Sequence, residues 1–279
     1  MNNRKRTNHQ NLRRLLSAFA ISTLLLHGAV AEQPEAEQPE AEQWQQGQAI
    51  MQRVDSRPQP DTEISMLQMQ LTDQRGRQRT RQLKLFTHND GAHTSTLLFF
   101  TAPADVRGVG LLTIAATGED SDQWLYMPAL RRTRRIAGSG RQDSFMGSDF
   151  SYEDLESPDI TRSQYRLTGE ESMNGRPCYV IEAIPQDTDS SYSKRLSWID
   201  TESLIALRVD FFTDSNDPVK RLTADGISRH NGYWRADTLR MEDLARGRHT
   251  VLHVSEQEFD IELPSNLFSV RTLENGRIP

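Results

Sequence analysis

The sequence predicts a mainly β protein: a single antiparallel curved sheet, or half-open β-barrel, with a few covering helices. Three observations predict it. Many short stretches alternate apolar and polar residues, the pattern of half-buried strands. Turn-forming residues separate these stretches at close intervals. No strand–helix–strand alternation is present, which argues against a nucleotide-binding α/β fold.

The first segment is a leader. Residues 1–14 carry Arg4, Lys5, Arg6, Arg13 and Arg14 and no acid, and Leu15 to Leu26 is apolar except for Ser17, Ser22 and Thr23. Ala29-Val30-Ala31 then supplies a small-residue cleavage site. This order predicts a secretory signal over residues 1–31, cleaved after Ala31. The run is short of the ~20 apolar residues of a membrane span, which disfavours an uncleaved anchor. Arg13-Arg14 raises a twin-arginine route, but their flanks fit ordinary secretion better. The expected location is an envelope space, most simply a bacterial periplasm. Without the leader, 28 basic residues face 39 acidic ones, a net charge of about −11. That balance argues against non-specific DNA binding and favours solubility. Cys178 is the sole cysteine. Its neighbours Tyr179, Val180 and Ile181 suit a strand, and no His or Lys flanks it, so a buried structural thiol is expected.

Residues 32–43 repeat Glu-Gln-Pro-Glu-Ala, a composition that predicts a disordered linker. The folded domain is then expected over residues 44–279, about one large β domain in length. Trp44 to Val54 predicts a short helix. Trp44, Gln48, Met51 and Asp55 share its face, Ile50 and Val54 lie beside it, and Arg57-Pro58-Gln59-Pro60 stops it.

Strands follow. Leu67, Met69 and Leu71 alternate, Asp73 to Gly76 turns, and Leu83 and Leu85 alternate on the return. Thr96 to Thr101 holds Leu97-Leu98-Phe99-Phe100, apolar on both faces. Further strands are expected at Val109–Ala115, Gln123–Met127, Tyr165–Thr168, Cys178–Ile184, Arg195–Asp200, Ala206–Phe212, Lys220–Ile227, Tyr233–Met241 and Thr250–Phe259.

The most distinctive stretch is Trp124 to Leu155. It joins an aromatic strand, a Pro-marked turn, four arginines in five positions, a Gly/Ser loop, and a segment alternating aromatics with acids. It has no nucleophile–base pair and no metal-ligand spacing, so it points to binding. In this stretch the chain resembles the LolA-like outer-membrane lipoprotein-sorting family, in a branch associated with exporters of the resistance-nodulation-division (RND) type. Trp124-Leu125-Tyr126-Met127-Pro128, Arg131 to Ile136 and Asp143 to Leu155 carry the resemblance. Arg53-Val54-Asp55, Trp198-Ile199-Asp200, Leu207-Arg208-Val209 and Leu263 to Phe268 support it. The resemblance implies a half-open barrel with helices over its mouth, an apolar cavity for acyl chains, and a working relationship with an RND-type inner-membrane exporter. The lipoprotein carriers of the family are shorter and lack the long central loop, so cargo identity does not transfer.

Each feature has two readings. Arg131, Arg132, Arg134 and Arg135 form either a docking patch for anionic headgroups or an acidic partner, or a solvated sheet edge guarded against aggregation. Phe145, Met146, Phe150 and Tyr152, in a loop rich in glycine, form either a mobile lid or an ordered plug. Asp149, Glu153 and Asp154 are expected to latch that loop to the arginines through weak ion pairs. Leu97, Phe99, Trp124 and Tyr126, with Phe211 and Phe212, line a cavity or simply form core. His249 and His253 lie four apart on a strand, ~13 Å, too far to share a metal, and His88 and His93 flank a turn without a third ligand. No G-x-S-x-G elbow and no phosphate-cradling loop is present, so neither catalysis nor a cofactor or metal is expected. The leading function is a monomeric periplasmic carrier that shields lipid or lipoprotein acyl chains and hands them on towards the outer membrane. The alternative is a non-carrier interaction module that docks through the basic patch and central loop. An envelope hydrolase ranks below both.

Overall fold

A computed structural model of the chain describes residues 37–157, 159–186 and 190–276. The leader, its cleavage site and the first part of the linker lie outside the described residues. So does the centre of the turn after residue 186.

The described residues open with helix α1 (Glu37–Asp55), followed by β1 (Thr62–Thr72), β2 (Gln78–Asn89), β3 (His93–Ala102), β4 (Gly110–Ala116), β5 (Asp122–Met127) and β6 (Arg132–Ile136). A long connection, residues 137–162, leads to β7 (Ser163–Met173), β8 (Arg176–Pro185), β9 (Lys194–Asp200), β10 (Ala206–Phe212) and β11 (Lys220–Asp225). The short strands β12 (Ser228–His230) and β13 (Tyr233–Arg235) form their own hairpin, and β14 (Thr238–Asp243), β15 (Arg248–Phe259) and helix α2 (Val270–Asn275) follow. Among the described residues thirteen strands make one antiparallel sheet in the order β6-β5-β4-β3-β2-β1-β15-β14-β11-β10-β9-β8-β7. The edges are β6 and β7, so the curved sheet is not closed, as expected.

Alternation along the strands divides the core in two. On β3, Leu98 and Phe100 join Met69, Leu83, Leu111 and Leu125 on one face. Leu97 and Phe99 join Phe86 and Leu112 on the other, where Leu267 and Leu273 cover them. The doubly apolar run thus reports a strand buried on both sides. We call the first face inner, because α1 and residues 137–162 pack on it.

The curvature follows from two neighbouring residues. Tyr152 O accepts a hydrogen bond from Gln123 Nε2 of β5 (3.1 Å), while Glu153 Oε1 accepts one from Arg195 Nη2 of β9 (2.7 Å). In the sheet order β9 stands nine strands from β5. At ~4.8 Å per strand a flat sheet would hold them ~43 Å apart. The sheet therefore curls around the connection.

The structure differs from the sequence reading in three places. Helix α1 begins at Glu37, so residues 37–43, read as linker, are helical. Pro39 stands in the first turn, where its missing N–H removes no hydrogen bond. The packed stripe is also rotated from the expected one: Gly47, Ile50, Met51 and Val54 face the sheet and Asp55 is exposed. Second, the stretch Tyr233–Met241 is two strands. The Asn231-Gly232 turn, left-handed at both residues, folds β12 and β13 into a hairpin beside the main sheet. Third, α2 has six residues, too few for a readable period. Ser269 caps it by accepting a hydrogen bond from Thr272 N, and left-handed Gly276 ends it.

Gly47 shows why α1 packs as it does. A Cβ there would stand 2.5 Å from Tyr165 O and 2.8 Å from the carbonyl carbon of Arg166. Glycine lowers helix propensity by ~1 kcal/mol relative to alanine, yet here it admits the backbone of β7. Gly47→Ala is therefore expected to destabilise the domain by about 1–3 kcal/mol in urea denaturation, despite alanine's better propensity. A stabilised variant would show that α1 does not pack this closely.

Candidate functional site: the interior strap

Residues 143–152 form a small hairpin held inside the curled sheet. Ser144 and Ser151 pair as an isolated bridge, Phe145 N donates to Phe150 O (2.8 Å), and Ser148 N donates to Phe145 O (2.9 Å). Met146 (φ 49) and Gly147 (φ 75) at its tip are both left-handed, as a type I′ turn requires. Gly147 thus serves the turn. Phe145 stacks on Phe100 of β3 and meets Tyr152 edge-on. Phe150 packs with Tyr192, Phe211 and Met241 on the opposite half of the sheet. Phe145 is 0% exposed and Phe150 and Tyr152 are 3% exposed. Arg81 of β2 donates to Met146 O (2.7 Å). The loop is a strap that fills the interior.

Of the aromatic and apolar candidates, the structure unites only some. Phe145, Phe150 and Tyr152 share the inner core, and Met146 packs against it half-buried. Leu97, Phe99, Trp124 and Tyr126 lie on the outer face under α2 and the segment before it. They do not join the strap residues in one cavity, because they alternate away from them on β3 and β5. Phe211 is inner core, and Phe212 lies beneath Lys194.

The carboxylates are in the strap but not bound as expected. Glu153 accepts from Ser190 Oγ (2.7 Å), Ser191 N (3.0 Å), Ser191 Oγ and Arg195 Nη2 (2.7 Å). Asp154 accepts from Ser151 N, Tyr192 Oη and Lys220 Nζ at 2.8, 2.8 and 2.9 Å. Asp149 accepts from Thr250 Oγ1 (2.7 Å), and Arg248 Nε lies 2.6 Å from its Oδ1. That last pair is in ionic contact, although its angle falls short of a hydrogen bond. Next to these, Arg141 grips Glu156 with two hydrogen bonds of 2.7 and 2.8 Å. Burial pushes the Glu156 carboxyl above its ordinary value despite Arg141, and burial beside Asp154 pushes the Tyr192 phenol strongly up.

The expected latch between these acids and Arg131, Arg132, Arg134 and Arg135 is therefore corrected. The cations come from β9, β11 and β15, which the curl of the sheet brings inward. The pairs are also buried: the Asp149, Glu153 and Asp154 side chains are 4, 5 and 2% exposed. Sequence reasoning missed Arg195, Lys220, Arg248 and Tyr192. They lie 38 to about 100 residues from their partners, and nothing local marks them. The one signal available was three acids between buried aromatics, which must find cations somewhere.

The arginine group stands on the exposed edge. Arg131 is left-handed (φ 43) after the turn, and Arg132, Arg134 and Arg135 lie exposed along β6. Arg135 pairs with Asp122, and Arg134 faces the Tyr152 phenol, whose pKa burial raises. Leu130, 64% exposed, precedes them. Elsewhere, Cys178 is free and buried as expected, and burial raises its thiol pKa. His249 and His253 lie on strand β15, and His88 stacks on Phe268. Among the described residues no group of three or more His, Cys, Asp or Glu is placed to hold a metal ion, and no helix is long and apolar enough to cross a membrane.

The comparisons with known proteins agree with the fold. A family profile described as "Uncharacterized protein" matches residues 92–275. An outer-membrane lipoprotein-sorting protein domain from Vibrio parahaemolyticus is 32% identical, with a TM-score of 0.79, covering 83% of this chain and 99% of that one. A DUF1329 family protein from Desulfovibrio piger is 30% identical over the same shares, also with a TM-score of 0.79. A LolA superfamily protein from Nitrosomonas europaea shares the fold at 20% identity and a TM-score of 0.63, over 81% of this chain and 98% of that one. No curated protein matches.

Glu153 has the most partners of the strap acids. Glu153→Gln removes the charge facing Arg195 and turns one acceptor into a donor. Breaking such a buried pair typically costs about 3–5 kcal/mol. The expected result is a loss of that size in chemical denaturation, with faster amide exchange over residues 143–155. A change below ~0.5 kcal/mol would show that the strap is held by its aromatics alone.

Proposed function

We propose, from the premise that the chain belongs to the DUF1329 family of LolA-like lipoprotein-sorting proteins, that it is an envelope carrier for acyl chains. It works by binding and handover, without a covalent step. The observation that carries this reading is the strap: the interior of a half-open barrel is filled by a separate hydrophobic segment and not by the sheet's own side chains alone. An acyl chain and the strap can occupy that space in turn.

The magnitudes permit such an exchange. Burying Phe145, Phe150 and Tyr152 stabilises the strap by ~1.5–3 kcal/mol each. Burying a chain of ~14 carbons releases ~11 kcal/mol at ~0.8 kcal/mol per CH₂. The strap's three side chains thus sum to ~4.5–9 kcal/mol, a few kcal/mol below the acyl chain, so cargo displaces the strap while the strap's return offsets most of its gain. With the cargo gone, the strap returns and no large apolar surface faces water.

For docking, Leu130 and the arginines of the β6 edge form a tip that suits an anionic membrane surface, where each cation contributes ~1 kcal/mol. An RND-type exporter as partner, a periplasmic location and onward transfer to the outer membrane belong to the same proposal. They rest on the likeness of motifs and on the leader in the sequence.

The same filled interior also favours a second reading. In it the barrel is only a scaffold, and the exposed edge captures a partner protein.

Detergent-free purification from a periplasm, followed by native mass spectrometry and lipid extraction, tests the proposal. The carrier is expected to show acyl lipid in a defined ratio, with higher occupancy in Glu153→Gln, whose strap leaves more readily. An unliganded mass in both proteins after incubation with lipids would overturn the carrier. Loss of partner capture on reversing Arg131, Arg132, Arg134 and Arg135 to Glu would then support the scaffold.

A further inference from the structure

A cleft lies where α1 ends, apart from the strap aromatics. Met51, Val54 and Ile160 give it an apolar wall, and Thr87, Asn89, Thr94 and Ser157 give it neutral hydrogen-bonding groups. Its volume is about 250 Å³, and a neighbouring space of about 490 Å³ shares Arg57, Asn89, Thr94 and Ile160 with it. Small-molecule sites commonly measure roughly 300–1,000 Å³.

Two guanidinium groups face the first space, and they are not equivalent. Arg235 is fully engaged: Nη2 donates to Glu63 Oε2 (3.1 Å), Nη1 donates to Trp234 O (2.9 Å), and its plane lies over Phe259. Glu63 is further bound by Gln257 Nε2 (3.0 Å) and Ser65 Oγ (2.6 Å). Arg57 has no such partner. Its Nη1 is buried and meets no hydrogen-bond acceptor, and the charge that acts on it is the repulsive one of Arg235. Burial and this repulsion lower its pKa, although a guanidinium remains charged at any ordinary pH. Asp55, the remaining acid of the first space, is exposed at the rim; of the acids lining the neighbouring space, Asp61 is exposed, and Asp90 and Asp159 each accept from backbone amides.

A guanidinium nitrogen that is buried and unbonded is costly, and an anion arriving from solvent would relieve the cost. The apolar wall beside it fits the carbons next to that anion. We infer that this cleft binds the anionic head of an amphiphile, a carboxylate or phosphate seated on Arg57 with its first methylenes against Met51, Val54 and Ile160. The inference rests on the carrier reading and adds to it a charge requirement and a place for the head. Cargo with a neutral head would use the interior without this contact.

Calorimetric titration of the purified chain with dodecanoate, dodecanol and inorganic phosphate tests it. Dodecanoate is expected to bind at least tenfold more tightly than dodecanol. Arg57→Met is expected to cancel that advantage while leaving dodecanol binding unchanged and the melting temperature no lower. Ile160→Trp, which fills the cleft and keeps the charge, is expected to weaken dodecanoate at least tenfold. Equal dodecanoate affinity in the wild type and both variants would overturn the head site and leave the carrier standing. Phosphate binding as tightly as dodecanoate would assign the cleft to a free anion and overturn the amphiphile. If the wild type bound neither dodecanoate nor dodecanol, both the head site and the carrier reading would fall.

Discussion

Residues 137–162 must carry the chain from one open edge of the sheet to the other, and they cross through the interior. The crossing puts three carboxylates, Asp149, Glu153 and Asp154, where water is excluded. Each is met by a cation from a strand the curl brings inward: Arg248, Arg195 and Lys220. Curvature and strap depend on one another. A flat sheet would leave β5 and β9 too far apart for Tyr152 and Glu153 to reach both, and a strap without its cations would hold buried charge uncompensated. Buried pairs of this kind add little net stability over an apolar core, but they fix one register. Here they set which residue of the strap lies under which strand.

The fold was largely legible because it rests on alternation, which is local. Ala206–Phe212 has the same bounds in sequence and structure, and Leu97–Phe100 declared a strand buried on both faces. What alternation does not reveal is where a short element leaves the sheet. The β12–β13 hairpin looked like a turn and one long strand, because Tyr233 to Met241 keeps a strand composition across the break. The beginning of α1 was hidden by a composition that resembles linker. Its helix is completed by packing on β7 at Gly47, a tertiary effect.

The strap residues were found, but their partners were not. Phe145, Phe150 and Tyr152 were singled out from the rarity of aromatics in a glycine-rich loop, and they are buried together. The sorting of Leu97, Phe99, Trp124 and Tyr126 onto the opposite face depends on register across β3, β4 and β5, which pairing sets. Arg57 was seen only as the residue before a proline that stops a helix. Its unmatched charge shows only once β1, β2, β13 and the end of the strap meet around it. An interior filled by the strap, and an Arg57 Nη1 that is buried without an acceptor, are the two features on which the proposed carrier and its head site rest.

The most direct test is hydrogen exchange at the Phe145, Phe150 and Tyr152 amides, with and without stoichiometric bound lipid. If cargo takes the place of the strap, these amides lose protection when lipid binds and recover it when the lipid is removed. Unchanged protection at full lipid occupancy would contradict the account, because the acyl chain would then lie elsewhere and the strap would be a permanent part of the core.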